Sequence, residues 1–339
     1  MAVTLYLSTD ASAPTLSGTV GSLVSLLDAC LVNGYGSKSA AGWTIAYTAT
    51  NKRDYKQGTG SNGYYLDVDD SGPGAGAARE ARLRGYETMS ALATGTLPFP
   101  TTAQSSTFGV VCRKSTTADS TARPWYLIAD ATCFYLFVDT GDVAAYSMGV
   151  HFGDFFSYSS GDTHNTILIG RNAENTSSLA NEAMSALSPP AYPCSGTLGG
   201  HWIDRSYTAV GGSVAAAKHT HVLGYGNVYG GAGMPSVMGN ASAVALYPNG
   251  PDNSLEMAPV YLGHNGHVRG YLKGFWCPMS YQPLGHGDTF AGTGNMAGKS
   301  FIALNEQGCV AATVGGSSTG NPASNTSGQI IIETSNTWS

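Results

Sequence analysis

The sequence predicts a mainly β chain with few helices, a β-rich α+β fold built as two β-sandwich-like domains and one N-terminal helix. Three observations predict it. From Gly42 apolar residues alternate with polar or small ones, and further short segments follow quickly, each bounded by Gly, Pro, Ser or Asp clusters, as strands between turns are. Glycine is frequent, with 45 of 339 residues against the usual ~7%, and 19 Tyr with 10 Phe keep aromatics plentiful. The three-and-four spacing of an amphipathic helix is best developed in one segment, near the N-terminus.

Ala2 to Ser8 alternates weakly and reads as a strand. A helix then starts at Thr19 or Gly21, with Val20, Leu23, Val24, Leu27, Cys30 and Leu31 along one stripe, and Asn33-Gly34 ends it. From Gly42 the period changes to two, with Trp43, Ile45 and Tyr47 alternating with Thr44, Ala46 and Thr48. Strands follow at Gly63 to Asp69, Ala81 to Thr88, Thr107 to Arg113 and Trp125 to Ala129, each bounded by Gly, Pro, Ser or Asp. Asp130-Ala131 separates the last of these from Thr132 to Val138, which predicts a hairpin. His164 to Gly170 is the next strand.

A short polar helix around Leu179 to Leu187 runs into Pro189-Pro190, which stops it. The domain boundary is placed there. The expected organisation is an N-terminal strand and helix over 1–40, packed on or bridging to a first β domain over 41–175. A linker over 176–195 and a C-terminal β domain with Gly-rich loops over 196–339 complete it. In that last part Ala243 to Tyr247 and Val260 to Leu262 are short apolar segments between turns. Gly315 to Gly328 has linker composition, and Gln329 to Glu333 reads as a closing strand.

Charge narrows the function. Charged residues are 11% of the chain and the net charge is -6, where a soluble domain usually carries about 25% charged residues. That sign and scarcity argue against direct nucleic-acid binding. No apolar run reaches the ~18 residues of a membrane span, so no membrane insertion is expected, and Met1 to Asp10 lacks the pattern of a secretory signal. The cysteines, Cys30, Cys112, Cys133, Cys194, Cys277 and Cys309, form no C-x-x-C pair and read as small buried hydrophobes. Cys112 and Cys133 sit in neighbouring predicted strands, which leaves a bridge between them open.

No motif for chemistry survives inspection. Gly72, Gly74 and Gly76 lack the βαβ unit of a dinucleotide loop. Asp67, Asp69, Ser71 and Gly72 match the first half of a calcium loop, but its twelfth position is Ala78, where a carboxylate is needed. A turn rich in hydrogen-bond acceptors is the better account. Gly298-Lys299-Ser300 has Thr293 where a phosphate loop needs its first glycine, so Lys299 reads as a solvated strand-end residue. His219 and His221 share one face of a strand, His264 and His267 are three apart, and His286 precedes Asp288. These are the weak metal-ligand set, read chiefly as polar surface or interface histidines. The one G-x-S-x-G match, Gly316 to Gly320, has no helix after it. Asp154, Asp162, Asp204 and Asp288 are the carboxylates that polysaccharide hydrolysis would need, although nothing in their spacing selects them. Arg79, Arg82 and Arg84 form the tightest arginine group, read as edge protection or an inter-subunit ion pair.

Several strings carry a resemblance. They are Ala13-Pro14-Thr15-Leu16-Ser17-Gly18-Thr19 leading into Leu26 to Val32, then GYYLDVDDSGPGAGAAREARLRGYETM from Gly63 to Met89. Phe99 to Thr102, Arg113 to Ser115, Ala122 to Trp125 and Phe134 to Val138 continue it. In the C-terminal half so do Gly274 to Pro278, Gly287 to Phe290, Ala297 to Phe301 and Ile332 to Trp338. The chain resembles virion structural proteins of tailed bacteriophages over most of its length, least in Gly200 to Asn240. The resemblance implies a particle component without enzymatic activity or cofactor, assembled in the host cytoplasm and packed on sister subunits or other virion proteins as a homo-oligomer. It transfers no catalytic residue. The alternative is a carbohydrate-recognising receptor-binding or decoration module for a host surface glycan, with Trp202, Tyr207, Tyr225 and Tyr229 as its stacking platform. A polysaccharide hydrolase is third.

Overall fold

The computed structural model describes residues 2–74, 76–103, 108–141, 148–171, 187, 199–210, 218–220, 255, 257–264, 267–278, 284–305 and 329–338. The chain is mainly β with few helices, and the strand pairings among the described residues are antiparallel.

Strands of the N-terminal half are β1 (Thr4–Leu7), β2 (Thr44–Ala49), β3 (Lys52–Lys56), β4 (Tyr65–Asp69) and β5 (Glu80–Tyr86). A separate hairpin follows, β6 (Thr88–Ala91) with β7 (Thr94–Thr96). Next come β8 (Val110–Arg113), β9 (Trp125–Ala129), β10 (Cys133–Val138) and β11 (Met148–Asp154). Then β12 (Phe156–Ser157), β13 (Thr166–Arg171), β14 (Gly199–Ile203) and β15 (Lys218–Thr220). The C-terminal strands are β16 (Met257–His264), β17 (His267–Pro278), β18 (Thr289–Ala291), β19 (Ser300–Asn305) and β20 (Gln329–Glu333).

The large sheet has the order β1-β9-β10-β11-β13-β8-β5-β4-β3-β2, with β14 also on β13. The second has the order β15-β16-β17-β20-β19-β18, with β12 also on β17. Sequence explains who sits where. The β10 segment is apolar at every position and lies centrally, buried on both faces. Phe134, Leu136 and Val138 enter one apolar cluster, whereas Tyr135 and Phe137 enter another. On β9 Leu127 and Ile128 divide in the same way, as Leu168 and Ile169 do on β13. By contrast β2, with Thr44, Ala46 and Thr48 exposed and Ile45 and Tyr47 half-buried, is an edge strand. The predicted hairpin between β9 and β10 is present, and Asp130 Oδ1 makes its turn by accepting the N–H groups of Thr132 (2.7 Å) and Cys133 (2.9 Å).

The first cluster lies between the large sheet and the N-terminal helix. That helix is α1 (Ser22–Leu27), continued by a wide π turn over Asp28–Asn33. Leu23, Val24, Leu27, Cys30 and Leu31 are buried as the stripe predicts. Val20 is not. It precedes the helix and is 43% exposed, because the backbone turns at Gly21 with φ 79°. The sheet curls round this helix: Gln57, beside β3, donates to Asp154 of β11 at 2.9 Å although β4, β5, β8 and β13 intervene in the sheet. Trp43 Nε1 likewise reaches the Asp130 carbonyl at 2.8 Å, and the Gly58 N–H reaches that of Ala131 at 2.7 Å.

The second cluster joins the two sheets, with Tyr135, Ile167, Ile203 and Phe137 facing Leu262, Leu272, Ile302 and Ile332. The boundary expected within 176–195 therefore does not separate the sheets. β14, assigned by sequence to the C-terminal domain, pairs with β13 of the large sheet, and β12 pairs with β17 of the second. Hydrogen bonding and a shared apolar core decide membership here, and neither has a local signature. The closing strand is β20, which lies between β17 and β19. The predicted helix around Leu179 to Leu187, Pro189-Pro190, Ala243 to Tyr247 and the Gly315 to Gly328 tract lie outside the described residues, apart from Leu187, which is buried in the second cluster.

The arginine group is corrected. β5 lies between β4 and β8, so it is not an edge. Arg82 is fully buried and donates to Glu80 at 2.8 Å, and Arg113 pairs with the other Glu80 oxygen. Arg79 donates to the Thr116 carbonyl at 3.1 Å. Lys299 is no free strand-end cation either, because it binds Glu333 at 3.0 Å and lies over the Trp276 ring.

Candidate functional site

The expected glycan platform is not assembled as predicted. Trp202 on β14 is only 6% exposed and packs in the first cluster, because even positions of that strand face the helix side of the sheet. A buried indole cannot stack on a sugar. Tyr207, past the end of β14, is 51% exposed. Tyr225 and Tyr229 lie outside the described residues.

The weak metal sets fare similarly. His219 pairs across β15 and β16 with Leu262, and His264 with His267 closes the β16–β17 register. His221 lies outside the described residues. The Nδ1 of His286 accepts the Asn305 N–H at 3.0 Å, its ring meets Tyr126 edge-on, and burial lowers its pKa. On β4, Asp69 is engaged by Lys52 at 2.6 Å and by the N–H of Ser71 at 3.0 Å. Asp67 faces Asp54 on β3 instead. Among the described residues no three potential metal ligands of the His, Cys, Asp and Glu types converge. Cys30, Cys112 and Cys133 are buried free thiols, so the Cys112–Cys133 bridge is absent. Burial pushes the Cys112 thiol up to about 12, which leaves it an inert hydrophobe at neutral pH.

The four carboxylates considered for hydrolysis are engaged separately. Asp154 accepts from Gln57, Thr166 and the Asn62 N–H. Asp162 binds Arg269 in bidentate fashion at 2.9 and 2.8 Å. Asp288 accepts the Gly285 N–H at 2.6 Å. Asp204 lies buried against Glu87 and Tyr64; burial first, then the Glu87 carboxylate, raise its pKa to about 7. Burial acts against ionisation of Glu87 too, but Arg205 at 2.7 Å holds its pKa below the ordinary value.

What the fold brings together is an aromatic face held by Arg269. This guanidinium is buried, binds Asp162, and donates to the carbonyls of Arg205 (2.6 Å) and His164 (2.9 Å). Its own carbonyl accepts the Tyr158 N–H at 2.9 Å. The 155–165 loop and the segment after β14 are thus fastened to β17 by one side chain. On the outside of that clamp, Phe156 stacks on Tyr271 with ring centres 4.7 Å apart and planes at 25°. Tyr158 closes the group at 5.8 Å from Phe156 and 5.9 Å from Tyr271. Phe156 is 43% and Tyr158 56% exposed. Gly270 permits the approach, since a Cβ there would overlap the Phe156 carbonyl oxygen. On the inner side, the Tyr64 hydroxyl and His164 Nδ1 are 2.6 Å apart.

Sequence reasoning missed this face. The signal was Phe156 and Tyr158 at alternate positions of a Ser-rich segment, where one strand face is aromatic with no partner strand in sight. Tyr271, more than a hundred residues on, had no local signal at all. Chemically the group offers an apolar aromatic patch with hydroxyls at its rim. Searched against known protein-family profiles and against curated protein sequences, the chain matches none.

Proposed function

We propose that this chain is a non-enzymatic structural subunit of a tailed-bacteriophage virion, working through packing on sister subunits and other virion proteins. The observation that carries this reading is the cluster of exposed Phe156 and Tyr158 with half-buried Tyr271, on which Phe156 stacks. Aromatic side chains left on a surface and pre-arranged by a buried clamp are what the centre of a protein interface is made of. The resemblance to virion proteins and the low charge of the chain support the same reading. Three rings are only the anchor of such a contact, because a stable interface buries about 800 Å² per partner.

The test is sedimentation velocity on the wild type and on Phe156→Ser combined with Tyr158→Ser, followed by analysis of purified particles for the chain. The wild type is expected to self-associate at micromolar concentration and the double variant to sediment as a smaller species. A wild type that stays monomeric when concentrated, and is missing from particles, overturns the reading.

A carbohydrate-recognising module is the second reading, favoured by the same rings, since exposed aromatic side chains also pack on pyranose faces. Its platform is then Phe156, Tyr158 and Tyr271, while Trp202→Ala would report on the core. Binding of one sugar class on a glycan array, lost in Tyr158→Ala, would favour it over assembly.

A further inference from the structure

The β6–β7 hairpin forms a sheet of its own, and a two-stranded hairpin is not stable alone in water. It is tied to the large sheet at few points. The Ala93 N–H, at its tip, donates to Asp54 Oδ2 at 3.2 Å. The Tyr86 hydroxyl reaches the Ala93 carbonyl at 3.4 Å, and the Tyr47 hydroxyl reaches that of Met89 at 3.5 Å.

Two of those anchors, Tyr47 and Asp54, belong to one row. Strand register sets Tyr47 of β2 opposite Asp54 of β3, Asp54 opposite Asp67 of β4, and Asp67 opposite Arg84 of β5. Cross-strand neighbours of this kind have Cβ atoms ~5 Å apart. Asp54 is fully buried and Asp67 is 8% exposed. Two carboxyls at this spacing, out of water, do not both ionise; they share a proton. The charged and titratable groups that face them are Tyr47 on β2, Arg84 and Tyr86 on β5, and Asp69 on β4, the last already bound by Lys52. Thr88 to Thr96 contributes no charge.

We propose that Asp54 and Asp67 are a proton-operated latch that seats the β6–β7 hairpin on the large sheet and releases it in alkali. In the closed form Asp67 carries the proton and donates it to Asp54, which also accepts the Ala93 N–H. When Asp67 gives that proton to solvent, two buried carboxylates confront each other, and lifting the hairpin readmits water. Burial first, then the Asp54 charge, raise the Asp67 pKa to about 8, against the opposing pull of Arg84. For an acid with a raised folded pKa, the stabilisation is full below its unfolded value and is lost as pH rises through the folded one. The hairpin therefore loosens as pH passes about 8.

Amide hydrogen exchange by mass spectrometry between pH 6 and pH 9 tests this, corrected for the intrinsic base-catalysed rise and with β9–β10 peptides as reference. Peptides over Thr88 to Thr96 are expected to lose protection at least tenfold more than the reference, and Asp67→Asn, which stays neutral and keeps a donor for Asp54, is expected to abolish the difference. Should Asp67→Asn fail to fold, Asp54→Asn removes the second charge and serves the same comparison. Hairpin protection that follows the reference in the wild type, or falls equally in a folded variant, overturns the latch.

Discussion

Lys114 and Asp70 bury a complete ion pair beneath the helix. Both side chains are inaccessible, and each is multiply bonded: Lys114 also donates to the Thr19 carbonyl, and Asp70 accepts the Leu23 N–H at 2.8 Å. Burial raises the Asp70 pKa and lowers that of Lys114, so each charge depends on the other being present. Asp70 does the work of a helix N-cap from 47 positions away in sequence. Lys114→Ala is expected to cost about 3–5 kcal/mol in urea unfolding, because it strands a buried carboxylate. The double change to Ala at both positions is expected to cost less than the sum of the single changes. Local sequence shows Asp70 beside a turn and Lys114 at a strand end; that they meet follows only from the pairing of β5 with both β4 and β8.

At the scale of elements, the short β12 strand is the one on which the aromatic face depends. Its pairing is two residues long, Phe156 with Tyr271 and Ser157 with Gly270. Gly270→Ala forces the Phe156 carbonyl away and is expected to destabilise by about 1–3 kcal/mol in denaturant unfolding. The same variant is expected to weaken self-association in sedimentation as strongly as removal of the rings themselves. Element by element, the fold was largely legible: alternation found β2, turn residues at their ends marked β4, β5, β8 and β9, and the Asp130-Ala131 turn marked β10, whose central place in the sheet strand pairing decided. The site was not. A face made from the 155–165 loop and β17 is written in two places, and neither half has a meaning until β12 lies on β17.

For the whole molecule, the two sheets are joined through Tyr135. Its hydroxyl donates to the Lys273 carbonyl at 2.8 Å, and its ring meets those of Phe275 at 5.5 Å and Trp338 at 5.6 Å. Lys273 in turn donates to Thr132 at 3.1 Å, and the Val3 N–H donates to the Asn336 carbonyl at 2.9 Å, so both ends of the chain close the same seam. A shared core makes the sheets one cooperative unit. Calorimetry is expected to give one transition, and Tyr135→Ala is expected to lower all of it, by about 3–5 kcal/mol. Two resolved transitions, with only one moved by that substitution, would mean that the sheets fold independently.

Composition and period by themselves determined that this protein is mostly β, that one helix lies near its N-terminus, and that Cys30, Cys112 and Cys133 are buried hydrophobes. These are local properties, set by which side chains alternate and how far apart they fall. Tertiary structure alone decided that β14 belongs with the N-terminal sheet, that Trp202 points inward, and that Phe156, Tyr158 and Tyr271 share a surface. Those outcomes rest on strand pairing between distant segments, and the free energy of such pairing resides in contacts that no short stretch of sequence contains.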